Sequence, residues 1–257
     1  MSTTVPGLSS ASLPSGRTRV KVIGVGGGGG NTVMRVLNTK VPGVEFYCAN
    51  TDVRALNSMH DAAVIRLGEN VTHGLGAGGN VEVGLKAAQE SATAIREALS
   101  GADLVFITAG LGGGTGSGAA PVVAEIASTL GALTVGIVTT PFSFEGPKHA
   151  AIAKATMMTL ESKVDMLIAV SNERLLDLAG KKTSAQEAFK KADEVSAQAI
   201  IGVSRIINVP GQINVDFADL KAILKKAGTG IIATGRGAGE DRAIKATKAA
   251  IENPLAD

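Results

Sequence analysis

The chain has a single cysteine, Cys48, so no internal disulfide can form; its place in the apolar run 44–49 reads as a small buried strand residue rather than a reactive thiol. It has no tryptophan and one tyrosine, and no Lys/Arg cluster is interleaved with aromatics; with a net charge of only +2, this excludes a nucleic-acid-coating surface. No apolar stretch reaches the length of a membrane span, and the first 18 residues lack the hydrophobic core of a signal peptide. A soluble intracellular chain with no membrane insertion is expected. Residues 1–17 are rich in Ser, Thr, Pro and Gly with Arg17 their only basic side chain, which reads as a disordered tail over 1–18 rather than a targeting segment. His60 and His73 have no carboxylate or cysteine at ligand spacing, so no protein metal site is expected. Also missing is a Gly-Lys-Ser/Thr phosphate-loop ending, since Gly180-Lys181-Lys182-Thr183 has the wrong order.

Glycine is in excess, at 33 residues. That is well above the usual share of about 7% and has no collagen-like period, so the surplus belongs to loops and turns. Two runs stand out. The strand-like stretch 19–25 leads into Gly26, Gly27, Gly28, Gly29 and Gly30, with Asn31 placed to cap a helix over 31–38. The strand-like stretch 103–108 leads into Gly110-Leu111-Gly112-Gly113-Gly114-Thr115-Gly116-Ser117-Gly118 and a helix over 119–129. Glycines let backbone N–H groups turn inward, Thr115 and Ser117 add hydroxyls, and a helix N-terminus adds partial positive charge; the fitting occupant is a polyphosphate. The first run alone also satisfies the dinucleotide fingerprint, as Gly24-x-Gly26-x-x-Gly29 with Asp52 as ribose partner. Two such loops on one sheet favour a longer phosphate chain held by backbone amides.

Apolar runs at 19–25, 44–49, 62–67, 103–108, 132–139 and 165–171 alternate with helical patterns at 31–38, 81–99, 119–129 and 147–162. This predicts an α/β fold with a doubly wound, mostly parallel sheet over 19–183. A long helical pattern over 184–208 ends at Pro210 and Gly211, giving a central helix over 184–209. Residues 210–257 then carry a helical pattern at 216–226, a strand-like one at 229–234 and a helical one at 240–252.

The string at 112–118 matches the tubulin signature. With Asn50-Thr51-Asp52, Gly74-Leu75-Gly76-Ala77-Gly78-Gly79, Thr139-Thr140-Pro141-Phe142-Ser143-Phe144-Glu145-Gly146, Ser171-Asn172-Glu173-Arg174 and Asn214-Val215-Asp216-Phe217-Ala218-Asp219, the chain resembles the tubulin/FtsZ family of GTPases from about Arg19 to its last residue. The resemblance implies a GTP/GDP site with Mg2+ and hydrolysis that depends on head-to-tail assembly with other copies or a full-length relative. It implies division proteins as further partners and a place at the division site in the cytoplasm, or in the plastid stroma. Asp193 matches the family's base-reading carboxylate and Phe189 its stacking partner. Asn31 and Asn172 match amides near the base, Glu145 a carboxylate near the ribose, and Ala77, Gly78 and Pro141 lie in matched loops. Asn214, Asp216 and Asp219 match a catalytic loop that enters the next subunit's pocket. The sequence departs from the family where His149 stands for an Arg that approaches the phosphates and where Val81 stands for a Pro. The resemblance also implies that the central helix joins the GTP-binding domain to a second, smaller α/β domain, of which 210–257 form a part with the catalytic loop; this predicts poor assembly of this chain alone, with an assembly-deficient nucleotide-binding module or filament cap as the competing reading. A Rossmann oxidoreductase is disfavoured by the second glycine loop and the lack of a catalytic dyad.

Overall fold

The computed structural model describes residues 18–39, 41–179, 183–208, 216–231, 233 and 235–251. Strands and helices alternate through β1 (Val20–Val25), α1 (Gly26–Leu37), β2 (Val44–Asn50), α2 (Val53–Leu56), β3 (Ala63–Arg66), α3 (Glu69–Thr72), α4 (Val81–Glu90), α5 (Ala92–Leu99), β4 (Leu104–Gly110), α6 (Gly114–Thr129), β5 (Leu133–Thr140), α7 (Pro147–Glu161) and β6 (Met166–Ser171). Then come α8 (Asn172–Ala179), α9 (Ala185–Asn208), α10 (Phe217–Leu224), β7 (Gly228–Thr229) and α11 (Arg242–Ile251). Among the described residues seven strands form one sheet in the order β3-β2-β1-β4-β5-β6-β7, and each of its ladders is parallel. The order reverses between β1 and β4, which opens a crevice at their carboxyl ends.

Because side chains alternate across a strand, each central strand feeds two cores. Val20 and Val22, Leu104 and Phe106, and Leu133, Val135 and Ile137 pack with α1 and α9 through Val33, Val36 and Ile200. Ile23 and Val25, Val105 and Ile107, and Val138 point to the other face, against Ala87, Ile95, Leu99, Val123 and Leu160 from α4 to α7. The strands are apolar on both faces because both faces are covered.

The boundaries differ from the sequence expectation in an informative way. The first glycine run is helical throughout and the second from Gly114: α1 begins at Gly26 with Val25 in the cap position, so Asn31 lies inside the helix and does not cap it. Likewise α6 begins at Gly114, five residues before the expected start, and carries Pro121 in its interior. Glycine is a poor helix former, but tertiary contact overrides that here. A Cβ on Gly118 would lie 2.2 Å from the Val81 carbonyl oxygen, and one on Gly84 would lie 2.3 Å from that of Gly114, so α4 and α6 approach at a distance only glycine permits. The expected helix 81–99 divides at Ser91 into α4 and α5. A helix not foreseen, α8, starts directly at Asn172. Of the strand expected at 229–234, Gly228–Thr229 pairs with β6 as the seventh strand of the main sheet, and Ile232 and Thr234 lie outside the described residues.

The longest helix crosses the domain. Ala192 of α9 packs with Val170 and Leu175, at the carboxyl end of β6 and in α8. Asn208 lies beside Gly43, just before β2 begins. About 28 Å of helix separates Phe189 from Asn208 at ~1.5 Å per residue.

Candidate functional site

The two glycine loops meet at the switch point. A Cβ on Gly28 would lie 3.3 Å from Gly110 N, and one on Gly26 would lie 3.0 Å from Gly116 N, so the loops touch rather than bracket a gap. They differ in what their glycines do. Gly29, Gly30, Gly114 and Gly116 face protein: their Cβ positions lie 2.2 Å from Thr108 O, 2.7 Å from Met59 Cε, 2.8 Å from Asn80 N and 2.4 Å from Gly110 O. Gly27 and Gly113 face open space, and both line a cavity of about 350 Å³. Neither α1 nor α6 has a side-chain cap at its N-terminus, so their first N–H groups remain available at this crevice.

The hydroxyls expected at this end brace the loop. Ser117 is buried and its Oγ accepts from Gly112 N at 2.9 Å, while Thr115 Oγ1 is 2.7 Å from Thr51 Oγ1. Buried Ala77 packs where a Gly114 side chain would begin, and Gly78, at φ +57, faces open space on the same loop. His149 stands over the signature loop: a Cβ on Gly112 would lie 3.1 Å from both its Cβ and its carbonyl oxygen. Its Nδ1 is 2.8 Å from Glu145 O; a carbonyl only accepts, so Nδ1 carries the proton and Nε2 remains for other partners. Asp52, the alternative ribose partner, caps α2 by accepting from Arg54 N at 2.8 Å and pairs with the Arg54 guanidinium.

The other end of the cavity is lined by Asn31, Pro141, Glu145, Asn172, Phe189 and Asp193. Three of the chain's six phenylalanines gather here. Phe142 and Phe144 stack with centroids 4.9 Å apart, and Phe189 meets Phe142 edge-on at 4.9 Å. Phe142 is buried, whereas Phe144 and Phe189 are exposed. The turn holding the first two is tied down by carboxylates: Phe142 N donates to Glu145 Oε1 at 2.8 Å, and Ser143 N donates to Glu173 Oε2 at 2.7 Å. Asn172 is 4% exposed and its Oδ1 has no partner among the described residues, an acceptor left over at the cavity wall.

Asp193 is partly buried, and desolvation pushes its carboxyl up to about 6, opposed by the adjacent Arg35 guanidinium. Arg35 Nε is 3.6 Å from Asp193 Oδ2 and its Nη1 is 3.4 Å from Glu194 Oε1. Arg35 was not among the sequence candidates. It lies on α1 one turn beyond Asn31, and the only signal that could have found it is that helical spacing. A carboxylate in this pocket can accept two parallel hydrogen bonds, the complement of guanine N1–H and N2–H, whereas adenine N1 is an acceptor.

Asp216 and Asp219 lie elsewhere. Asp216 caps α10, accepting from Ala218 N at 3.0 Å, and both carboxylates are exposed. Helix α10 packs Phe217 and Leu224 into the core that holds Val20, Leu104 and Leu133, the first residues of β1, β4 and β5. Its Lys221 and Lys225 border a cleft with Gly131, Ala132, Leu133 and Asp165, which places it at the amino ends of β5 and β6, opposite the cavity. Asn214 lies outside the described residues. No group of three His, Cys, Asp or Glu among the described residues could hold a metal ion, and no described helix is long and apolar enough to cross a membrane.

Comparison with known proteins follows this geometry. Residues 19–180 match the GTPase domain of the Tubulin/FtsZ family. The cell division protein FtsZ of Pseudomonas aeruginosa is 53% identical over 236 residues, 92% of this chain and 60% of the relative, and that of Azotobacter vinelandii is 52% identical over the same length. The chain thus spans about 60% of these curated relatives. Among solved structures, an FtsZ dimer from M. jannaschii matches with a TM-score of 0.90 at 41% identity, over 94% of this chain and 70% of that one. The GTPγS-bound CetZ2 protofilament from Haloferax volcanii shares the fold at a TM-score of 0.73 and 23% identity, over 86% of this chain and 68% of that one.

Proposed function

Because this chain belongs to the Tubulin/FtsZ family, we propose that it binds GTP in the cavity at the switch point and hydrolyses it to GDP only where two copies meet head to tail. The observation that carries this reading is the opposition of the two carboxylate sets. Asp193 lies at the carboxyl ends of the strands and Asp216 and Asp219 at their amino ends; from Asp193 to the end of α9 at Asn208 alone runs about 22 Å of helix. Asp216 and Asp219 cannot reach the chain's own nucleotide, but head-to-tail stacking brings one pole onto the other.

The roles follow the chemistry of each group. The N–H groups of α1 and α6 and the open backbone at Gly27 and Gly113 receive the phosphates. His149 stands beside them where the family usually has Arg, a weaker and more localised charge. Asp193 accepts from the guanine edge, Asn172 supplies a second polar contact, and Phe189 offers a face for stacking. Asp216 and Asp219, with Asn214, orient the attacking water on the neighbour's nucleotide. Among the described residues the cavity wall holds Glu145 and Asp193 but neither Lys nor Arg, which fits a site where Mg2+ enters on the phosphate oxygens. Bound there, the ion would spread the charge developing on transfer. The relatives are named as cell division proteins; action at the division site in the cytoplasm, with division proteins as further partners, is the corresponding proposal for this chain.

A mixing experiment tests the arrangement. Asp219→Ala chains keep a nucleotide pocket and lack a catalytic carboxylate, whereas Asp193→Ala chains have the reverse. Each alone should hydrolyse GTP poorly, and their mixture should recover activity. Turnover per molecule of the parent should rise with protein concentration. A mixture no better than its parts, with turnover independent of concentration, would place the carboxylates outside catalysis.

A further inference from the structure

We propose that Arg35 is a specificity-determining positioning residue, keeping the Asp193 side chain an ionised double acceptor and thereby setting the pH range over which the pocket prefers guanine to adenine. The inference rests on the guanine-nucleotide reading above and adds to it a residue and a titration. Arg35 reaches the pocket from α1 while Asp193 lies on α9. Their contact is at ion-pair distance, 3.6 Å, and the buried Nε makes no hydrogen bond among the described residues. The guanidinium is anchored at its far side by Glu194 Oε1 at 3.4 Å. It therefore acts on Asp193 as a neighbouring positive charge at ion-pair distance. A carboxylate has about four lone-pair sites, so this contact on Oδ2 leaves room for two donors from a base.

Charge state decides what Asp193 can read. Ionised, it accepts from guanine N1–H and N2–H; protonated, it offers an O–H suited to adenine N1. Burial drives it toward the neutral form, and Arg35 is the main opposing influence. The other charged groups facing it are Glu194, which adds to the upward push, and Lys190 and Glu145, which line the same groove and cavity. Asn31 and Asn172 complete the wall without charge. As pH falls through about 6, Asp193 takes up a proton and guanine preference should fade. Without the guanidinium this transition moves to higher pH, by about one unit at the low end of the usual effect of a neighbouring opposite charge.

The test measures GDP and ADP affinities from pH 5 to 8 for the parent, Arg35→Gln and Arg35→Lys. Taking the ratio of the two cancels titration of the phosphates and of groups common to both nucleotides. Arg35→Gln should lose its GDP preference about one pH unit above the parent, and Arg35→Lys should restore most of the difference. A defect in folding or packing alone would lower both affinities and leave the midpoint of the ratio in place. A midpoint shared by the parent and Arg35→Gln overturns the inference. A parent with no GDP preference even at pH 8 overturns the guanine-nucleotide reading itself.

Discussion

The two poles of the domain use carboxylates in opposite ways. At the carboxyl ends of the strands, Asp193 is enclosed by Phe189, Arg35 and Asn172, and its environment pushes its protonation away from the ordinary. At the amino ends, Asp216 and Asp219 are exposed on the first turn of α10, one of them merely capping the helix. A buried carboxylate must be matched to something, so its surroundings describe its ligand. An exposed one carries no such imprint, and its function depends on what another molecule brings to it. The contrast is that of a finished pocket and an unfinished one.

The largest expected effect breaks this comparison at the exposed pole. Asp219→Ala should lower GTP hydrolysis about a hundredfold or more and leave GTP binding within a factor of about two. Parallel binding and single-turnover measurements check this, and a joint loss would mean the two poles are not separable. Asp216→Ala should resemble it, with a further cost of about 0.5–2 kcal/mol for the lost cap.

At the enclosed pole, Asp193→Asn should cut GTP affinity by about 1–3 kcal/mol, because an amide offers guanine N2–H a donor where it needs an acceptor. The same amide complements xanthine, whose C2 bears an oxygen, so xanthosine triphosphate should become the better ligand. Competition between the two nucleotides reads the switch; an unchanged preference would remove Asp193 from base recognition.

The glycines sharpen the comparison within the enclosed pole. Gly118→Ala drives a methyl into Val81 O and Leu85 N and should destabilise the fold by about 1–3 kcal/mol. Gly113→Ala meets no atom within 4 Å, and its φ of −85° suits any residue, so it should leave thermal stability nearly unchanged and weaken nucleotide binding. The smallest effect is expected from His149→Arg. A fixed planar charge beside Gly112 should raise GTP affinity or turnover modestly; no change in either would mean the side chain plays no part at the phosphates.

Much of the fold was legible because central parallel strands covered on both faces must be nearly all apolar, as 104–109 and 133–138 are apart from Thr108 and Thr134. The starts of α1 and α6 were not. Intrinsic propensity argues against glycine helices, and what overrides it is close approach between distant residues: Gly84 to Gly114 for α6, 30 positions apart, and Gly29 to Thr108 for α1. For the site, the glycine loops could be read from their own chemistry, but Phe189 and Asp193 became visible through family resemblance, since their spacing equally suits an ordinary amphipathic helix. Arg35 was invisible because its meaning lies in a partner on α9, 158 residues away. Asp216 and Asp219 had the opposite difficulty: locally they read as a helix cap and a first-turn charge, and only the family resemblance gave them a further meaning.

The aromatic distribution has an optical consequence. Without tryptophan, the protein's near-ultraviolet absorption rests on Tyr47, which is buried in β2 with its hydroxyl bonded to Glu45 and Lys21 Nζ 5.6 Å from the ring centroid. The pocket itself is furnished with phenylalanine, which is almost transparent at those wavelengths. A bound purine would therefore dominate the spectrum of the complex, and its departure would be seen against a nearly dark protein. A single Phe189→Trp substitution would add a fluorophore at the cavity with no other tryptophan to obscure it.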